Sequence, residues 1–146
     1  MPTPADRAAG ADDPAFGRGF GQLRGPLHWP SLTTRERDTA LAVLREWVRH
    51  LTGRFGLDAR VIPPCWDRHP PLVEVLSALR DHERGCYADS AAPTAGVEFI
   101  RALYDVKRIL TDAVARTGCT AGEHREDRAW GIHAPAPIGT AGTQGS

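Results

Sequence analysis

The sequence has almost no lysine, no surplus of either charge, few cysteines and no long apolar run, and each shortage removes a class of function. Its 18 basic and 18 acidic residues cancel, and Lys107 is the sole lysine among the basic ones. A chain that grips nucleic acid or an anionic membrane through charge carries a basic surplus, and this chain has none. With abundant Ala, Gly and Pro, arginine in place of lysine reads as the coding bias of a GC-rich genome. No apolar segment approaches the ~20 residues needed to span a bilayer. The start, Met1-Pro2-Thr3-Pro4-Ala5-Asp6, lacks the basic stretch and apolar run of a secretory signal. The expected compartment is therefore the cytoplasm, where thiols stay reduced. Three cysteines, an odd number, also fit a disulfide framework poorly.

Strand signals are missing as well. No segment alternates apolar and polar residues for long, and Leu57 to Ile62 is the only candidate, a short one. What remains is helical. The 146 residues, 41% hydrophobic and 25% charged, suffice for one domain with a modest core. Residues 1–30 are rich in Gly and Pro without apolar periodicity, which predicts a disordered arm. From about Ala134 the composition turns to Ala, Pro, Gly, Thr and Ser, and residues 129–146 read as a flexible tail.

Over 31–128 the expectation is an all-α, three-helix, bundle-like core. Thr33 and Glu36 form a Thr-x-x-Glu capping box, followed by the stripe Leu41, Leu44, Val48 and Leu51 with Trp47 beside it. Gly53 and Gly56 supply stop signals. Pro70-Pro71 opens a second helix with Leu72, Val75, Leu76, Leu79 and Cys86 on its inner face, ending near Asp89. After a turn at 90–93, Thr94 is a plausible cap for a third helix. Val97, Ile100, Leu103, Tyr104, Lys107 and Leu110 lie close to one line on it. Phe99, Val106, Ile109 and Val114 widen that stripe, which predicts a central helix ended by Gly118.

Two Cys/His doublets are the sharpest chemical feature. Cys65 and His69 stand Cys-x3-His before the second helix, and Cys119 and His124 stand Cys-x4-His after the third. A short turn makes those helices antiparallel neighbours, which places both doublets at one end of the hairpin. Thiolate and imidazole are the ligands of structural zinc, so Cys65, His69, Cys119 and His124 are candidate metal ligands. Blander readings stand beside this: His69 capping the second helix, His124 a solvated tail residue, or a Cys65–Cys119 disulfide. The stretch between the doublets is far longer than in a zinc finger, and the core looks large enough to fold without metal. Zinc would then staple the open end without creating the fold.

Catalytic readings are thinner. Either doublet offers a thiol and a base, but nothing nominates an oxyanion hole or an orienting partner, so the chain reads as non-enzymatic. Cys86 reads as a small core residue. His50, His82 and the run Asp81-His82-Glu83-Arg84 read as solvated. Gly17-Arg18-Gly19-Phe20-Gly21 has no strand before it and no helix directly after it, so a phosphate loop lacks its context. Net charge is +2 over 33–54, −2 over 70–89 and +1 over 94–117, and no helix is a basic stripe.

The stretch Pro64-Cys65-Trp66-Asp67-Arg68-His69-Pro70-Pro71, leading into the Leu-rich Leu72–Leu79, resembles a segment of small actinobacterial proteins of the DUF4913 group. Such proteins are often carried on plasmids and integrative elements. The resemblance extends loosely over residues 40–128, with Phe99 standing where Trp is expected in relatives. It implies a mobile-element accessory protein and no activity. The favoured reading is a binding or adaptor module acting on a protein partner. The alternative is a nucleic-acid-associated factor with a structural Cys2His2 zinc site.

Overall fold

A computed structural model describes residues 25–127, and most of the expected arm and all of the expected tail lie outside that span. Within it the chain is all-α. Helix α1 runs Thr34–Phe55, α2 runs Pro70–Cys86 and α3 runs Ala95–Thr117, with short 3-10 turns at Trp29–Ser31 and Trp66–Arg68. Residues 57–62 form turns and no strand. No helix among the described residues is long and apolar enough to cross a membrane.

The helix boundaries follow local chemistry. Thr33 accepts from the Glu36 amide while the Glu36 carboxylate accepts from the Thr33 amide at 2.8 Å, so the capping box is closed in both directions. Gly56 ends α1 with a left-handed φ of 60°, a conformation that costs any residue with a Cβ roughly 1–2 kcal/mol. Thr94 does precede α3, but its backbone is already helical and its hydroxyl caps nothing. The entry to α3 is set instead by the turn bonds Ala91 N–H to Ala88 O and Ala95 N–H to Ala92 O. Helix α2 stops at Cys86, three residues earlier than expected.

One core joins the three helices. Leu44, Trp47, Val48 and Leu51 enter it from α1, Leu72, Val73, Leu76 and Leu79 from α2, and Phe99, Leu103, Leu110 and Val114 from α3. Each fully buried side chain of this kind contributes ~1.5–3 kcal/mol. The central helix is α2 and not α3: α2 packs against both α1 and α3. Helix α3 is also rotated relative to the line drawn through its apolar residues. Phe99 is wholly buried, whereas Val97, Tyr104 and Ile109 are more than half exposed. On α2, Val75 and Cys86 are only half buried, while Val73 and Ser77 take inward positions. The connecting segments complete the core with Trp29, Ile62 and Trp66, so the packed part of the chain begins ahead of residue 31.

The face read as solvated, Asp81 to Arg84, contains the main polar contact of the interior. Glu83 is 3% exposed. Its carboxylate accepts from the Trp47 indole N–H at 2.6 Å and pairs with Arg54 at 2.7 Å. This ties the middle and the last turn of α1 to the end of α2, and it satisfies an indole that is completely buried. Removing the carboxylate strands a buried donor and leaves Arg54, itself partly exposed, without its counter-ion. Glu83→Ala is therefore expected to destabilise the fold by about 2–3 kcal/mol. Trp47→Phe and Glu83→Ala should be non-additive in a double-mutant cycle of chemical denaturation, since both break one interaction.

Candidate metal centre

The antiparallel run of α2 and α3 decides what meets at the open end. At the closed end Tyr87 packs edge-on against Phe99, with ring centres 6.0 Å apart. At the other end His69, just before α2, meets Cys119, just after α3. Each doublet is then shaped by its own short segment.

The first doublet is folded by a single 3-10 turn. The Arg68 amide donates to Cys65 O and the His69 amide to Trp66 O, which curls residues 65–69 so that both side chains face one side. Trp66 is buried and anchors the turn in the core, and Asp67 holds it to α1 through Arg45 at 2.8 Å. Proline at position 70 disfavours a helical conformation for the preceding residue, and His69 is extended at φ −112°, ψ 100°. It occupies the N-cap position, but its side chain makes no capping bond. Its ring is instead fully buried.

The second doublet depends on Gly118, which ends α3 with a left-handed φ of 71°. A Cβ there would also stand 3.2 Å from the Arg125 side chain. Cys119 then turns back under the helix end, its amide donating to Thr117 Oγ1 at 3.1 Å. The tight turn at 120–123 is closed by the Thr120 amide on Glu123 O. It brings the Arg125 amide to within 3.1 Å of Cys119 Sγ. His124 is half buried by this fold-back and is not a solvated tail residue.

All four side chains converge. Cys65 Sγ lies 3.5 Å from His69 Nε2, and Cys119 Sγ lies 3.3 Å from the same nitrogen and 3.8 Å from His124 Nδ1. One ligand atom from each residue falls within 4.8 Å of every other. Cys65, His69, Cys119 and His124 can therefore hold a metal ion between them. The remaining ring nitrogens are held by carboxylates: His69 Nδ1 by Asp127 at 2.5 Å and His124 Nε2 by Glu126 at 2.9 Å. With an ion present, a proton on each outer nitrogen would leave the inner one as a lone pair aimed into the cluster, the arrangement typical of metal-bound histidine; without one, His69 Nε2 can donate to Cys119 Sγ. Asp127 and Glu126 are the site residues that composition conceals. They sit in a stretch that carries no helical pattern, and the available signal is only that two acids follow His124 one residue on, after Arg125.

The two thiols are not equivalent. Burial pushes the Cys65 thiol up, and its bond with Cys119 pushes it the same way. Burial also acts to raise Cys119, but hydrogen bonds from Thr117, the Arg125 amide, Cys65 and His69 together outweigh it and bring Cys119 down to about 6. One thiolate is thus already favoured at neutral pH, and a cation placed among the four groups would favour the second. Cys86 takes no part; it lies on α2 and pairs with His82 at 3.3 Å.

No family model, curated protein or solved structure matches the chain.

The two carboxylates differ in burial and therefore in expected weight. The His69 pair joins a buried ring to a carboxylate that is 36% exposed, whereas the Glu126 carboxylate is 83% exposed. Asp127→Ala is expected to weaken binding of a metal ion about 10–100-fold, and Glu126→Ala by clearly less. Competition against a chelating dye would rank the two variants.

Proposed function

We propose that the chain is a non-enzymatic binding module whose helical hairpin is stapled at its open end by one structural zinc ion. The convergence of Cys65, His69, Cys119 and His124 carries this reading. With Zn–S near 2.3 Å and Zn–N near 2.0–2.1 Å, neighbouring ligand atoms of a tetrahedron stand about 3.3–3.8 Å apart. The separations of 3.5, 3.3 and 3.8 Å fall in that range. Four protein ligands close the coordination sphere, and a structural zinc site is closed in this way, whereas a catalytic one keeps a position for water. Two sulfurs with two imidazoles also favour zinc over magnesium or calcium, which take oxygen ligands.

The ion would act here as a fastener. It would join the turn before α2 to the segment after α3 and hold residues 119–127, which have no helix of their own, against the bundle. Because the apolar core already joins the three helices, zinc adds stability to a folded domain. Its contribution to folding should then fall well below the ~10–16 kcal/mol binding free energy of zinc-finger peptides, which have no other core.

The partner we favour is a protein. A nucleic-acid-associated role would keep the same zinc but needs a basic face, and many of the described arginines are paired locally. Arg45, Arg49, Arg54, Arg60, Arg84, Arg101 and Arg125 each pair with a nearby carboxylate. Placement of the protein as an accessory of a mobile element rests on the resemblance of the Cys65–Leu79 stretch alone.

Metal analysis of the purified protein tests the reading. One zinc per chain is expected, lost in Cys65→Ser and in His69→Gln. Chelation should lower the Tm by several degrees while the helical circular dichroism at room temperature persists. Metal-free protein with an unchanged Tm would remove the staple. Retention on DNA that weakens steeply with salt would favour the nucleic-acid role instead.

A further inference from the structure

The two cysteines of the cluster are adjacent to each other as well as to the histidines, and they differ in access. Cys65 and Cys119 Sγ fall within the 4.8 Å that encloses all four ligand atoms. Cys65 is half exposed at the wall of an open cleft of about 440 Å3, formed also by Pro64, Arg68, Thr120 and His124. Cys119 is 9% exposed and lies behind it. One sulfur can thus be reached from solvent, and the second is placed to resolve what forms on the first. Exposure and an adjacent resolving thiol are two features of an oxidation-prone pair, and a bound metal ion would supply the third by holding Cys65 as a thiolate. The third cysteine, Cys86, lies in α2 with His82 as its neighbour and is not part of the pair.

We propose that the cluster is a peroxide-responsive release: oxidation joins Cys65 to Cys119 and sets the metal ion free. The inference rests on the zinc reading and adds a regulation to it. In the first step the Cys65 thiolate attacks one oxygen of hydrogen peroxide; the O–O bond breaks, Cys65 becomes a sulfenic acid, and the departing hydroxide takes a proton from solvent to leave as water. In the second, the Cys119 thiolate attacks the Cys65 sulfur, the S–O bond breaks, and the hydroxide leaves as a second water with a second proton. Two thiolates have lost two electrons, and one peroxide has accepted them. A disulfide keeps neither negative charge, so an ion held by two thiolates and two imidazoles retains only the imidazoles.

The structural outcome is selective. The new bond keeps the segment after α3 attached to the turn before α2, and the core helices do not depend on the ion. His124 loses its tie to the ion, and between the disulfide at Cys119 and the Asp127–His69 contact residues 120–126 lose the fastening that held them to the bundle. The Arg125 amide, which donates to Cys119 Sγ at 3.1 Å, would then face a disulfide sulfur, a weaker acceptor than a thiolate. Oxidation would then change how residues 120–126 are displayed while the bundle stays folded.

The test uses the full chain loaded with zinc and titrated with hydrogen peroxide. Zinc release is read with a chelating dye, free thiols are counted, and the disulfide is mapped by peptide mass. The expected result is loss of the bound ion in step with a fall in free thiols from three to one, mapping to Cys65–Cys119 within one chain. Reductant plus zinc should restore the starting state, and Cys86→Ser should respond as the parent does. In Cys119→Ser the oxidised Cys65 should persist as a sulfenic acid, trapped by a carbon-acid reagent. Faster hydrogen exchange confined to 120–126, with α1 to α3 unchanged, is the expected structural readout. Zinc that stays bound while Cys86 oxidises would overturn the inference and leave the structural site intact. Bridging between chains, or sulfinic acid without a disulfide, would overturn it equally. Protein that never binds zinc would instead sink the proposed function, a result distinguishable before any oxidant is added.

Discussion

The antiparallel packing of α2 on α3 is the constraint on which the rest of the molecule depends. It is first a matter of burial. Leu72, Leu76 and Leu79 on one helix and Phe99, Leu103 and Leu110 on the other are essentially removed from water. Once their register is fixed, the chain positions just outside the two helices have no freedom to be far apart. His69 must lie beside Cys119 because Pro70 must begin α2 and Gly118 must end α3. The cluster is therefore a consequence of helix packing, and the ligands need little reorganisation to meet.

Glu83 places α1 in the same frame. A carboxylate buried among apolar side chains is costly unless it is paired, and here its two partners come from one helix, Trp47 and Arg54. The contact therefore selects which face of α1 lies against α2, as well as stabilising that contact. The Arg45–Asp67 pair adds a second link from the middle of α1, two residues before Trp47, and steadies the turn that carries Cys65 and His69. Being partly exposed, that second pair contributes about 1 kcal/mol. Its value is positional.

Much of this was legible in the sequence, and the gaps have physical causes. The capping box at Thr33 and Glu36, the proline start of α2 and the glycine ends of α1 and α3 are local signals, and local signals survive into the fold. The meeting of the two doublets was legible because it needs only a short turn and two helices of known length. The rotation of α3 was not. Apolar residues occupy most of its circumference, so a line through Val97 and Tyr104 looks as good as one through Phe99 and Leu103. Only the partner helix distinguishes them. Glu83 was hidden among charged neighbours, since a sequence cannot show that one acid of four faces an indole 36 positions away. Trp29 and Asp127 were hidden by their surroundings, a Gly/Pro-rich stretch and a coil, where pattern-based reading expects nothing to be packed.

The return of the chain after α3 has a mechanical consequence. Residues 119–127 fold back over the end of the bundle, and Asp127 reaches His69 on the far side of the cluster. Tension applied to the chain beyond Asp127 does not reach the C-terminal turn of α3 first. It is borne by His69, Cys119 and His124, and through them by the Trp66 anchor in the core. A pull from that side therefore meets the side-chain contacts of the cluster before it reaches the helices.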